Sequence, residues 1–418
     1  MAILIAYYRE RPLMVTIAEV EHVISPQRLD ELLHGNRKLF IVDVRNNEEF
    51  QQRRIEGRGL PDPIHVQYFE LMDADEDDLA APVATYAKEH WKGRIPSDSL
   101  VICVCGKGDT SEFVAEGLRR VGYDAVNLAG GMAAWGDYYA IRLAAEAGAV
   151  TVHQVVRPAR GCLSYIVASQ GEMVVIDPLR HVAQYTTFAQ EHGLRIVAAI
   201  DPHGHADHIS GGARLARDLD VPYYMHPYDA IHPIDVLPAT ISFRWMGDGF
   251  EIPVGATAIR AIHTPGHTLG NMVLLADGRY LFSGDTTFIH SIARPDLGGR
   301  GEGWAGLHHE SLTRIMKLGD EITVFPGHYS RPQEADAEGL FRATLGELRR
   351  GNEGLGMVAR GRDAFVHYIL SELPEFPEQY VDIKRVNAGL LTPDEEKASE
   401  LELGRNLCAL SGACKESG

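Results

Sequence analysis

From about Val20 the chain alternates short apolar runs with stretches of helical period: LFIVDV at 39 to 44, VICVC at 101 to 105, then SEFVAEGLRRVG at 111 to 122. Strands followed by amphipathic helices predict a parallel sheet. AVNLAGGMAAW, 125 to 135, closes this block with a strand, a Gly-Gly turn and a helix start. Between Gly136 and Val150 the pattern gives way to Ala- and Gly-rich sequence, which places a seam near 145. A second series follows, LSYIVAS, MVVIDP and RIVAAIDPHGHADH, in which each strand ends in a polar cluster. Chemistry is therefore expected on loops at one sheet edge. Alternation continues to about 330; after Phe341 the texture is helical and charged, then Pro-rich (LPEFPEQY), then polar with little periodicity. The expected organisation is α/β throughout, with a first domain over 1–145 (core about 22–140), a second over 146–390 and a tail over 391–418.

At 418 residues the chain exceeds one ordinary core, in keeping with that division. Its 40 basic and 58 acidic side chains give a net charge of −18, a field that repels phosphate backbones and acidic leaflets. Nucleic acid and membrane surfaces are not expected partners. Five cysteines (Cys103, Cys105, Cys162, Cys408, Cys414) are too few for a disulfide framework and point to a reducing compartment. The opening apolar stretch lacks a basic leader and is interrupted by Arg9 and Arg11, and no run approaches the ~18 residues of a membrane helix. A cytoplasmic protein is expected; self-association stays open.

The densest chemistry is His203-Gly204-His205-Ala206-Asp207-His208, directly after the apolar run IVAAI. Neutral imidazole and ionised carboxylate crowded on a strand-to-helix turn bind a divalent metal without further deprotonation. His267 in HTPGHT, Asp285 in FSGDTT and His328 in FPGHYS follow, each after an apolar run. Four such loops converging on one edge would complete a site.

Cys105 ends VICVC and opens the loop Gly106-Lys107-Gly108-Asp109-Thr110-Ser111 ahead of a helix. Backbone N–H groups and a helix start favour the thiolate there and suit an anionic sulfur group. Cys103 is expected to point into the sheet, Cys162 to pack in a core, and Cys408 and Cys414 to be loose tail thiols.

The order H-x-H-x-D-H, PGHT, GD and a late GH resembles the metallo-β-lactamase superfamily, which implies an αββα sandwich. Within it, GCLSYIVASQGEMVVIDP at 161 to 178, GDTTFIHSIARPDLGG at 284 to 299 and the extension from LGELRRGNEGL to RVNAG are similar to the persulfide (sulfur) dioxygenases. That resemblance implies His203, His267 and Asp285 as ligands of one Fe(II) per chain, with Arg294 orienting Asp285 or a substrate carboxylate. His205, Asp207, His208 and His328 are left as additional metal ligands or supporting groups. The same inventory occurs in glyoxalase II enzymes, thioester hydrolases with two zinc or iron ions, so ligands alone leave one metal or two open.

With Asp43-Val44-Arg45 before it and NLAGGMAAW after it, the cysteine loop resembles the rhodaneses over about 22 to 140. This implies that Cys105 carries a sulfane sulfur. A phosphatase would need arginine where Ser111 stands; the rhodanese loop C-x-x-G-x-R-S has arginine where this chain has Thr110, leaving Lys107 as the loop's cation. Together the resemblances imply oxidation of glutathione persulfide, or another low-molecular-weight thiol persulfide, by O2 to sulfite, with Cys105 exchanging sulfur among thiols, sulfite and thiosulfate. A thioester hydrolase and a non-catalytic persulfide carrier or sensor are the alternatives.

Overall fold

The computed structural model describes residues 22–72, 77–299, 301–373, 376–404 and 406–410. Cys414 and the opening residues 1 to 19 lie outside the described residues.

The first unit is built on five parallel strands in the order Val23–Ile24, Asp124–Leu128, Leu100–Val104, Leu39–Asp43, Ile64–His65. Its central strands are buried on both faces, which is why they read as unbroken apolar runs. Phe40, Val42, Val101 and Cys103 pack one way against Val114 and Leu118 of the helix Asp109–Arg120. Leu39, Ile41, Leu100 and Ile102 pack the other way against Leu29, Leu32 and Trp135. Period-two alternation in an all-apolar strand thus feeds two separate cores.

The second unit is a four-layer α/β/β/α sandwich. Its seven-stranded sheet runs from the edge strand Arg244–Trp245 through Tyr223–Met225, Arg195–Ile200, Glu172–Ile176, Cys162–Ser169 and Val150–Arg157 to Ala140–Ala147. The facing six-stranded sheet orders Glu251–Val254, Thr257–His263, Met272–Ala276, Tyr280–Gly284, Thr323–Pro326 and Ala343–Thr344. Val152, Val167 and Val174 of the first sheet share a core with Ile259, Phe282 and Phe325 of the second. Val155, Ile166 and Ala199 face outward to Tyr185, Phe188 and Leu215 of the helices Ala183–Glu191 and Gly212–Leu219. Helices Glu353–Val358 and Arg362–Ser371 pack on Gly301–Ile315.

Two segments differ from expectation. Ala140–Ala147 is an edge strand paired antiparallel with Val150–Arg157, so the second sheet begins ahead of the expected seam at 145. Only one neighbour and partial burial shape this strand, and its composition stays Ala-rich and mixed. The described tail is also packed: after helix Glu395–Leu401, residues 402–404 and 406–410 follow, and Leu401 and Cys408 share a cluster with Ala206, Ile209, Phe288 and Leu297. Among the described residues no helix is long and apolar enough to cross a membrane.

Candidate metal centre and sulfur loop

The strand Arg195–Ile200 ends beneath the turn that carries His203, His205, Asp207 and His208, all of them at most 1% exposed. His267 follows Thr257–His263, Asp285 follows Tyr280–Gly284, and His328 follows Thr323–Pro326. Both sheets therefore deliver their ligand loops to one end of the sandwich. His203 Nε2 lies 3.7 Å and His267 Nε2 3.5 Å from Asp285 Oδ2. These three atoms are buried and make no hydrogen bond. Donors about 2.1 Å from one ion at octahedral or tetrahedral angles are roughly 3.0–3.4 Å apart, so this unpartnered trio fits a divalent metal. His267 Nδ1 donates to the Arg294 carbonyl at 2.8 Å, which fixes the tautomer with the Nε2 lone pair toward the trio. Burial, then neighbouring His205, holds His203 well below the ordinary histidine range, and burial lowers His267. Both shifts favour the neutral imidazole that a metal ligand requires. Burial alone would raise Asp285, but His328 and His203 bring it well below the usual carboxylate range.

His205 adjoins His203, with ring centroids 4.2 Å apart, and also faces two further carboxylates. Its Nε2 sits 3.0 Å from Asp177 and 3.5 Å from Asp201. Burial opposes its charge, yet Asp201 and Asp177 raise it well above the usual range. His328 bridges two carboxylates, with Nδ1 2.7 Å from Asp285 Oδ1 and Nε2 2.7 Å from Asp207 Oδ2. Cys162, Asp207, His208 and His328 form a second group whose donor atoms lie within 4.8 Å of one another. Cys162 packs in the core as expected and also faces this group: burial would raise its thiol, but His328 and His208 bring it down to about 6.

Arg294 does not reach Asp285 with its guanidinium. The side chain is fully buried, donates to Asp296 at 2.6 and 2.8 Å, and stacks over Phe376. Its contribution to the centre is the carbonyl that orients His267. Sequence reasoning also passed over Asp177 and Asp201, although each ends an apolar strand run, and over Asn406, whose amide donates to Asp207 at 2.6 Å. The tail's approach left no local signal.

In the first unit Cys105 is 6% exposed. The Gly108 N–H donates to its Sγ at 3.1 Å, and the Ser111 hydroxyl lies 3.2 Å from Sγ and 2.7 Å from Asn127 Oδ1. Burial raises the thiol, but Ser111 and the loop N–H groups outweigh it and the net shift is downward. A Cβ at Gly131 would stand 2.3 Å from the Cys105 carbonyl, so the helix Gly131–Asp137 can seat on the loop only through glycine. Lys107 and Asp109 are exposed and Thr110 is half-buried. Cys103 is fully buried with its thiol pushed up by burial.

Between the units is a cavity of about 280 Å³ lined by Arg45, Arg53, Lys107 and Met132 on one side and Arg157 and Glu402 on the other. Burial, then Arg160 and Arg157, lowers Arg53 to about 9. The sulfur loop thus opens toward the metal-bearing unit.

A sandwich of two sheets with a buried His/Asp centre at one end defines a metalloprotein class, here behind a smaller parallel-sheet domain. A profile of the metallo-beta-lactamase superfamily matches residues 157–328 and one of the rhodanese-like domain matches residues 25–138. The hydroxyacylglutathione hydrolase of Anaeromyxobacter dehalogenans (strain 2CP-C) is 33% identical over 195 residues, covering 44% of this chain and 71% of that protein. That of Xanthomonas euvesicatoria pv. vesicatoria (strain 85-10) is 30% identical over 216 residues, covering 51% and 78%. A metallo-beta-lactamase structure from Staphylococcus aureus subsp. aureus COL is similar with a TM-score of 0.52 and 28% identity, covering 59% of this chain and 74% of that one. The chain belongs to the metallo-beta-lactamase superfamily, and its N-terminal part is a rhodanese-like domain.

Proposed function

We propose that the protein oxidises a low-molecular-weight thiol persulfide, such as glutathione persulfide, to sulfite at one Fe(II), and that Cys105 exchanges sulfane sulfur with thiols, sulfite and thiosulfate. The balance is RSSH + O2 + H2O giving RSH and sulfurous acid. The observation that carries this reading is the three-donor face of His203, His267 and Asp285, beside which His205 pairs with Asp177 and Asp201. Iron(II) on a two-histidine, one-carboxylate face supplies redox chemistry and open positions where sulfur and dioxygen can meet. The chain's part is to hold that face: the Arg294 carbonyl aims His267, His328 pins Asp285, and burial keeps bulk water away.

At the other site the Cys105 thiolate attacks the sulfane sulfur of thiosulfate, forming an S–S bond on the enzyme and releasing sulfite. A thiol then takes that sulfur, regenerating the thiolate and yielding a persulfide. Gly108 N–H and Ser111 hold the thiolate sulfur of the resting site.

The test is an anaerobic metal count followed by oxygen-electrode assay with a thiol persulfide. One iron per chain and oxygen uptake abolished by His267→Ala are expected; no uptake with iron fully loaded would sink the proposal. A second reading, a two-metal thioester hydrolase, is favoured by the hydroxyacylglutathione hydrolase relatives and by the group Cys162, Asp207, His208 and His328. Two zinc or iron ions per chain with thioester cleavage would establish it instead.

A further inference from the structure

The described tail returns to the metal centre as a built wall. Glu402 is buried against Arg157 at 2.9 Å and Arg180 at 3.0 Å, and accepts the Ile209 N–H at 2.8 Å. Beyond it the backbone pairs with the loop that supports His267: Arg294 N donates to the Cys408 carbonyl at 2.9 Å, Leu410 N donates to Ile292 at 3.2 Å, and Ala409 bridges Ala293. Leu407 N donates to the Tyr380 hydroxyl and Cys408 N to Asn406 Oδ1.

This arrangement places Cys408 Sγ, 1% exposed, within 4.8 Å of a carboxylate oxygen of both Asp207 and Asp285. The contact of Sγ with the Tyr380 hydroxyl is long, 3.9 Å. Asp207 Oδ1 and Asp285 Oδ2 are fully buried and make no hydrogen bond. A buried thiol beside two buried carboxylates, each with one oxygen that makes no hydrogen bond, is a donor set suited to a cation.

We infer that the tail supplies a protein ligand to a metal: Cys408 Sγ coordinates an ion held between Asp207 and Asp285. This rests on the centre holding a transition-metal ion, whichever of the two reactions it serves. On coordination the S–H bond breaks, its proton passes to solvent, and the sulfur lone pair forms the metal–sulfur bond. A thiolate selects iron, zinc or cobalt over magnesium or calcium, and it occupies a position that an incoming persulfide must share or displace.

The full chain loaded with Co(II), and separately with Zn(II), tests this without reference to turnover. A thiolate-to-cobalt charge-transfer band in the near ultraviolet is expected in the wild type, in Cys105→Ser and in Cys162→Ser. It should be lost in Cys408→Ser with metal still bound. X-ray absorption of the zinc form should show one sulfur neighbour at about 2.3 Å in the Cys105→Ser/Cys162→Ser background, which needs no change at Cys408. No sulfur neighbour there, or a band that survives Cys408→Ser, overturns the inference; so does a chain that binds no metal. Absence of oxygen uptake alongside a sulfur neighbour overturns the proposed oxidation alone.

Discussion

At residue scale the centre depends on a missing side chain. A Cβ at position 327 would stand 2.5 Å from Asp285 Oδ1 and 3.0 Å from the Gly284 carbonyl carbon, both parts of the wall that holds the ligand. Gly327→Ala should push Asp285 off the His203–His267 face and weaken metal binding about 10–100-fold, the range typical of lost ligand support. Competition with a chelator at unchanged circular dichroism checks this; unaltered affinity would show that Asp285 is free to shift. Ser111 makes the parallel case in the sulfur loop. The Cys105 thiol lies below its ordinary value because Ser111 and loop N–H groups stabilise the anion against burial. Ser111→Ala removes one donor to the charged form, so the pH midpoint of Cys105 alkylation should rise. A midpoint that stays put, followed by mass spectrometry of the Cys105 peptide, would assign the shift to the backbone alone.

At the scale of elements, what the sequence disclosed follows from how local each signal is. LFIVDV and VICVC are legible because both faces of those strands are buried, and the ligand loops are legible because each follows its own apolar run. Glu402, Asn406 and Cys408 gave no such sign. Their partners, Arg157, Asp207 and Asp285, are far away in the chain, and a contact of that kind imposes no period on the sequence around it. Asp177 and His205 likewise become a pair only once their parallel strands are set side by side. Glu402 shows how much such a contact carries. Burial would raise its carboxyl, but Arg157, Arg180 and Arg160 bring it down to about 2 from an ordinary 4.5. Since the folded value is the lower one, its stabilisation is complete above about 4.5 and fades as pH falls toward about 2. Glu402→Gln strands buried arginine charge and should cost about 3–5 kcal/mol at neutral pH. Urea unfolding of both proteins across pH should show the gap closing below pH 4.5, and a gap independent of pH would remove the ionic explanation.

For the whole molecule the question is why a rhodanese-like domain and a candidate metal centre share one chain. The units are joined by more than a linker. Arg142 pairs with the buried carboxylate of Asp30, Arg53 donates to the Pro158 carbonyl at 3.2 Å, and Arg157 donates to the Gly136 carbonyl at 2.7 Å. These bonds fix the cavity between the sulfur loop and the second unit, and its walls carry Arg53, Lys107 and Arg157. On the proposed function, a persulfide released beside Gly106 and Lys107 would leave through that space. With a net charge of −18 on the chain, an anionic thiol persulfide that escapes must return against the field. The joined arrangement should therefore raise the effective concentration of persulfide at the metal. An equimolar mixture of Cys105→Ser and His267→Ala chains holds both working sites but never on one molecule. With thiosulfate and glutathione as the only sulfur sources and micromolar protein, the mixture should consume oxygen severalfold more slowly than the same concentration of wild-type sites. The deficit should shrink as protein concentration rises or as salt screens the repulsion. If mixture and wild type match at every concentration, the persulfide equilibrates with solvent between sites, and the cavity serves only to seat one domain on the other.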